Sequence, residues 1–411
     1  MKKKKVINAI LIVTIVLSFT IKLVLILKYK NLLTLSSDDL NYIKSAVVLV
    51  KKGVLTFHNY NEPTVFVMPL YPMFLATIFK VFGYGLLGLQ FVRIVQAVLS
   101  CITIVLIYLL GKQLFSPAVG IISSILVAFY IPNITTTGYV MTETLFTTLL
   151  VLLIYISIIY SRSPSISRFC VLGIVWAATT LIRPTIALYP VLLFVYILIH
   201  HRMSIKEMTK LGIAMFTVFC IIMSPWWIRN YREYKEFIPL SAASGNPMLQ
   251  GTYVDYKQTP QNIVYYKLGK TAFETNKTEV EIAKRRIIDE FKKDFWGYLR
   301  WFTIGKTYLF WNGIFYWKEF LGVNQQFVLT YHKVLLLGFI GVFVLLFKNF
   351  SKYMLPLSVV VYFNAVHCIY MAFDRYAFPL MPIVTVFFAY LVVVLYEITV
   401  KSLKYLSHKV H

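Results

Sequence analysis

Apolar residues run in long blocks along this chain, and polar residues gather in the gaps between them. A helix needs about 20 apolar residues to cross the hydrocarbon layer of a bilayer, and blocks near that size recur from end to end. Spans are expected over residues 6–27, 86–110, 117–133, 139–160, 169–182, 185–199, 211–226, 331–347, 353–373 and 376–397. The fold class expected is therefore an all-α polytopic membrane protein with about ten transmembrane helices. The first block follows Lys2 to Lys5 as the core of a signal peptide would, but it is long and ends without a small-residue cleavage site. It reads as an uncleaved first span.

Two polar regions interrupt the pattern. The first, 28–85, contains an amphipathic stretch over 39–51, where Leu40, Ile43, Val47 and Val50 recur at helical spacing. Such a helix lies in the interface rather than crossing it. A short apolar piece over 69–82, interrupted by Pro72, follows. The second region, 227–330, predicts a small outer α-helical region with one clear helix from Glu279 to about Phe295. Thr278 and Glu281 would form its capping box, and Val280, Ala283, Ile287, Phe291 and Phe295 its apolar face. Trp296, Trp301, Trp311 and Trp317 come next, a density of aromatics that suits a membrane boundary. The chain thus divides into an N-terminal transmembrane module (1–226) built around its first outer loop, a loop region (227–330), and C-terminal helices with a short tail (331–411).

Charge sets the orientation. Lys and Arg concentrate in cytoplasmic loops. With the N-terminus inside, the inner segments carry Lys2 to Lys5, Lys112, Arg162, Arg168, Arg202, Lys206, Lys210, Lys348, Lys352, Lys401, Lys404 and Lys409. Lys28, Lys30, Lys51 and Lys52 oppose this but are outnumbered. Both termini are then cytoplasmic and the first loop is extracytoplasmic, in a plasma membrane; the abundance of Lys, Ile and Tyr has a bacterial look. The net charge of +24 comes without any recognised nucleic-acid-binding pattern, so anionic headgroups are the expected partner and nucleic acid is not. All four cysteines lie in apolar segments, which points away from a disulfide framework or a Cys-based metal site.

On this topology the ionisable groups collect at the outer ends of the spans. Asp38 and Asp39 follow Ser36-Ser37. Helix capping accounts for one such acid and leaves the second for chemistry as a general base toward an acceptor hydroxyl. Glu143 opens a span, where it is either a helix-dipole partner or a support for the acid pair. Arg375, flanked by Asp374 in a short turn, and Arg183 suit bidentate phosphate binding. Arg229, in Pro225-Trp226-Trp227-Ile228-Arg229-Asn230-Tyr231, is a third candidate, although aromatic-belt anchoring accounts for most of that string. His58 and Glu62 would add ligands to a metal, but one histidine among scattered acids has no metal-ligand spacing, and a solvated loop accounts for both. Ion-coupled transporters more often set acids at mid-membrane on broken helices; a transporter or flippase of lipid-linked sugars is the alternative function.

The acid pair, the string Met68-Pro69-Leu70-Tyr71-Pro72 and then Glu143-Thr144-Leu145-Phe146 resemble the GT-C membrane glycosyltransferases. The likeness is greatest to family 39, the dolichyl-phosphate-mannose protein mannosyltransferase-like proteins, and to the bacterial Rgt-like and aminoarabinose-transferase-like group. Leu181-Ile182-Arg183-Pro184, the Pro225 string and Arg375-Tyr376-Ala377-Phe378-Pro379-Leu380 follow in the same order as in the family. The resemblance implies inverting transfer of a sugar from a polyprenyl-phosphate donor to an envelope polymer, lipid or protein acceptor at the extracytoplasmic face. It gives the first-loop acid the role of base, with Glu143 assisting, the arginines on the donor phosphate and Tyr71 as support. The family's Asp-Glu pair reads Asp38-Asp39 here, which leaves both as candidates for the base. A divalent metal, if one is used, would fall to Asp39 and Glu143. Ending soon after its last span, the chain is expected to lack the C-terminal soluble domain of some relatives.

Overall fold

The computed structural model describes residues 2–347 and 350–409. Lys348 lies outside the described residues, as do the side chains of Lys2, Lys3, Lys404 and Lys409. The described residues are mostly helical. The N-terminal part runs α1 (Lys2–Tyr29), α2 (Asp38–Lys52), α3 (Leu70–Phe82), α4 (Leu86–Leu114), α5 (Pro117–Ala128), α6 (Ile131–Thr135), α7 (Glu143–Arg162), α8 (Ile166–Thr180), α9 (Tyr189–Tyr196) and α10 (Ile205–Tyr234). The polar region follows as α11 (Gly245–Gly251), α12 (Ala272–Lys293), α13 (Phe295–Arg300) and α14 (Lys306–Asn312). The chain closes with α15 (Gln325–Leu336), α16 (Gly338–Leu346), α17 (Met354–Ile369), α18 (Asp374–Ala377) and α19 (Met381–Lys409).

Eight helical segments among the described residues are long and apolar enough to cross a membrane: Lys4–Leu32, Leu86–Leu114, Glu143–Arg162, Pro184–His201, Ile205–Tyr234, Gln325–Leu346, Phe350–Ile369 and Asp374–Leu403. The protein is a multi-pass membrane protein. Two of the ten expected spans are the shorter apolar helices α5 and α8. α5 nevertheless carries the chain back along α4. Gly120 lies against Gly111, Asn133 takes the Ser100 hydroxyl at 3.3 Å, and Gly138 accepts from Arg93 at 2.9 Å. The close approach depends on glycine: a Cβ on Gly120 would stand 2.6 Å from the Tyr108 carbonyl oxygen. α16 and α19 meet in the same way at Gly338 and Gly341, as small residues allow at membrane helix interfaces.

Three expectations shift. α12 begins before Glu279, capped by Thr271, whose hydroxyl accepts from the Glu274 amide at 3.2 Å. Thr271 and Glu274 have the same spacing as Thr278 and Glu281, and the earlier pair starts the helix; Thr278 instead bonds back to the Glu274 carbonyl. Phe295 opens α13. Of the four tryptophans expected at the boundary, Trp301 and Trp311 are buried, donating to the Gly251 carbonyl and the Asn364 side chain. α10 continues through Pro225 to Tyr234, past the span end expected at 226.

Candidate active site

The first loop closes on a tight turn. Ser36 takes a left-handed backbone (φ 53°), and Asp39 secures the turn from inside the first turn of α2. Its Oδ2 accepts from the Thr34 hydroxyl and, at 2.9 Å, from the Leu35 amide, and its Oδ1 accepts from the Ser37 amide at 2.9 Å. Asp39 is buried, and its oxygens are satisfied by the loop it closes. Ser37 is the N-cap and neither acid caps the helix amides; Asp39 instead ties down the preceding loop. Asp38, one residue earlier on the helix, points elsewhere.

Asp38 meets Arg375, and through it Glu143 and Arg183, all from distant parts of the chain. Its Oδ2 accepts from Arg375 Nη1 at 2.8 Å. Arg375 Nε donates to Glu143 Oε1 in a tight contact. That same oxygen receives Arg183 Nη2 at 2.7 Å. Arg183 Nε donates to the Thr142 hydroxyl at 2.9 Å. The result is a chain of alternating charge, Asp38–Arg375–Glu143–Arg183, with two positive and two negative members. Glu143 is nearly sealed at 1% side-chain exposure, both arginines stand at 14%, and Asp38 at 36%. Buried carboxylates persist when paired and hydrogen-bonded. Each guanidinium has five donors, so both retain N–H groups beyond those spent on carboxylates and Thr142.

Each side chain is delivered by a helix end. Asp38 starts α2, Glu143 starts α7, Arg183 follows α8 and Arg375 lies in α18. Two contacts fix the turns that bear the arginines. The Leu70 amide donates to the Leu181 carbonyl at 3.0 Å, tying the Pro69-Leu70-Tyr71 string to the Leu181-Ile182-Arg183 string. Buried Lys306 donates to the carbonyls of Cys368 and Tyr370 at 2.8 and 2.9 Å, holding the end of α17 just before Asp374. Burial pushes the Lys306 ammonium down to about 7, while the two carbonyls and the Phe302 ring 3.7 Å away support its charge.

The remaining candidates serve the frame. Tyr71 is buried, its hydroxyl donating to Gln96 at 2.9 Å and its ring edge-on to Tyr42 at 5.0 Å. Arg229 is not brought to the cluster by its hydrogen bonds. It donates to the first-loop carbonyl of Thr64 at 2.7 Å and lies over Trp226, so it clamps the loop to α10. His58 is exposed with a left-handed backbone, its ring against Phe57 and Phe66. Glu62 is also exposed.

Three residues of this region had no candidate role from sequence. Tyr42 lies one turn from Asp38 on α2 and in the field of Arg375, Arg183, Asp38 and Glu143. Burial raises its phenol well above the ordinary range, against the pull of the two arginines, so it stays a neutral O–H donor. Arg93 is buried in α4 and donates to the carbonyls of Leu33 and Gly138 at 3.1 and 2.9 Å. Gln96 donates to the carbonyls of Thr137 and Tyr139. Residues 93 and 96 share a helix face, a polar stripe at helical spacing inside an apolar run.

A metal does not fit the residues present. Among the described residues no three His, Cys, Asp or Glu side chains converge on a common point. Asp39 is spent on its loop, and Glu143 is charge-balanced by two guanidiniums.

Residues 62–228 match the family described as Dolichyl-phosphate-mannose-protein mannosyltransferase. No curated protein sequence matches the chain significantly. Among solved structures, the chain is similar to the archaeal oligosaccharyltransferase AglB from Archaeoglobus fulgidus in complex with an inhibitory peptide and a dolichol-phosphate, with TM-score 0.57, 12% identity, and 94% of this chain and 50% of that one covered. It is similar also to the Archaeoglobus fulgidus oligosaccharyltransferase tethered to an acceptor peptide, with TM-score 0.55, 12% identity, and 94% and 50% coverage. This chain spans about half the length of those structures. The chain shares the fold of these oligosaccharyltransferase structures, and its residues 62–228 match the mannosyltransferase family.

Proposed function

We propose that this protein is a glycosyltransferase that moves a sugar from a polyprenyl-phosphate-linked donor to an acceptor at the extracytoplasmic face, with inversion. The observation that carries the reading is the alternating set Asp38–Arg375–Glu143–Arg183, in which Asp38 is the most exposed carboxylate and the arginines retain free donors.

The roles follow from that arrangement. Asp38 takes the proton of an acceptor hydroxyl, and the oxygen attacks the anomeric carbon from the face opposite the carrier. The bond from that carbon to the phosphate oxygen breaks with its electrons, so the phosphate leaves with added negative charge and the sugar's configuration inverts. Arg375 and Arg183 stabilise that charge, a role for which the planar guanidinium is suited. Glu143 holds the two guanidiniums a fixed distance apart through one shared oxygen. Tyr42 supplies a neutral donor at the same place. Asp39, Arg93 and Arg229 position the loop.

The test is transfer from a panel of radiolabelled polyprenyl-phosphate sugars by membranes carrying the full chain. General-base catalysis contributes roughly 10²–10⁴-fold, so Asp38→Asn should lose activity by a factor in that range. An Asp38→Asn protein with full activity would remove the proposed base.

A further inference from the structure

Two adjoining open cavities, of about 560 and 540 Å³, share Asn312, Gly313, Trp317 and Asp374 and form one groove. Each lobe falls within the size range of small-molecule sites. The groove begins at the charged cluster. Asp374 directly precedes Arg375. Phe315 lies 6.0 Å from the Arg375 guanidinium and edge-on to Trp317 at 5.0 Å.

The lining has an unusual chemistry for this chain. The protein has 41 basic residues against 17 acidic ones, yet no lysine or arginine lines either lobe. The polar walls are carboxylates and amides, with Asp374, Glu319, Asn312 and Gln326 among them. Between the lobes stands Trp317, 51% exposed, its Nε1 donating to Asp374 Oδ2 at 3.3 Å. That bond and the Phe315 edge fix the indole as a flat platform between a lobe lined mainly by carboxylates and amides and one that also carries Leu309, Ala372 and Phe373. Gly313 lets this wall close up, since a Cβ there would stand 2.9 Å from Asp374 Oδ2.

A phosphate or other anion meets only like charge here, which disfavours it. An extended peptide seeks an exposed strand edge or a deep apolar groove; the lobe lined by Glu319, Asn324, Gln325 and Gln326 is neither. A pyranose fits both features. Its C–H face lies on an indole, and its vicinal hydroxyls match the paired oxygens and nitrogens of carboxylates and amides. With two lobes on either side of the platform, the groove is longer than one ring.

We propose that this groove binds the acceptor and that the acceptor is a glycan of two or more rings. The proposal rests on the glycosyltransferase reading above and adds the acceptor class to it. The sugar of the donor is the other source of a pyranose, and it would occupy one lobe only.

The experiment is saturation-transfer NMR on the purified full chain in lipid nanodiscs. The probes are methyl α-mannoside, trisaccharides of mannose, glucose and N-acetylglucosamine, and an uncharged hexapeptide. At least one trisaccharide should receive saturation and bind about tenfold more tightly than the methyl glycoside. Trp317→Ala should weaken it about tenfold, in keeping with the worth of an aromatic face, while Trp317→Tyr keeps a ring and should retain binding. Gln326→Ala, in the lobe farther from Tyr256, should weaken the trisaccharide and leave the methyl glycoside unchanged. Equal affinity for one ring and three would assign the groove to the donor sugar and overturn the proposal. Binding of the hexapeptide alone, or of no saccharide, would also overturn it. The measurement uses no donor and no turnover, so its failure leaves the transfer assay to stand or fall by itself.

Discussion

At the scale of single residues, the two acids of the cluster answer to different forces. Glu143 is sealed from water and shared by two guanidiniums, whereas Asp38 has one partner and considerable exposure. Removing one member of a buried charge set leaves the others uncompensated, at a cost on the order of 3 kcal/mol. An exposed pair is worth about 1 kcal/mol or less. Glu143→Gln should therefore lower the apparent melting temperature in detergent and lower transfer, while Asp38→Asn should lower transfer alone. Equal thermal shifts in the two variants would contradict this division. The four members of the cluster were legible in sequence because ionisable groups at span ends are costly and few. Which aspartate turns inward was not, because adjacent helix positions differ by about 100° in direction and the choice rests on Thr34, Leu35 and Ser37. Arg93 escaped notice for a different reason. Arg93 is one of only two basic residues in a 29-residue apolar helix, and only the fold supplies the carbonyls of Leu33 and Gly138 that accept from it.

At the scale of elements, periodicity located α2 to within a residue at each end, because Gly53 ends it with a left-handed cap at φ 68°. α12 shows the limit of such reading. Two Thr-x-x-Glu pairs lie seven residues apart, and local pattern does not choose between them. In the fold the longer helix brings Asn276 to the Gly245 amide at 2.7 Å and Glu279 to the Tyr266 hydroxyl. Those contacts reward starting at Thr271. An N-cap threonine is worth about 1 kcal/mol, so Thr271→Ala should lower stability by about that amount, measured as an increased rate of proteolysis within 260–275. Thr278→Ala, now inside the helix, should be neutral or slightly stabilising because alanine is the better helix former. A larger loss at Thr278 than at Thr271 would restore the later start.

At the scale of the whole molecule, the cluster decides how often the chain crosses. Asp38 follows the first long span, Glu143 begins the third, Arg183 precedes the fourth and Arg375 stands at the start of the eighth. If only the eight long segments crossed, Glu143 would lie at the opposite end from Asp38, yet both bond Arg375. Counting α5 and α8 as crossings adds two to the eight and brings all four residues to one end. The hydrogen bonds from Ser100 to Asn133 and from Arg93 to Gly138 trace that return along α4. At about 1.5 Å per residue, α5 and α8 fall short of the roughly 30 Å hydrocarbon layer. Their shortness explains why a count by helix length stops at eight. The distinguishing position is the turn at Ser163, between α7 and α8. Ten crossings put it on the side opposite Asn59 in the first loop, and eight put it on the same side. On a background with Cys101, Cys170, Cys220 and Cys368 replaced by serine or alanine, single cysteines at Asn59 and Ser163 can be probed with a membrane-impermeant maleimide. In intact cells Asn59→Cys should label and Ser163→Cys should label only after permeabilisation. The basic residues Arg162 and Arg168 beside Ser163 favour that side as cytoplasmic. Labelling of both from outside would break the link between the four-residue cluster and the ten-crossing path.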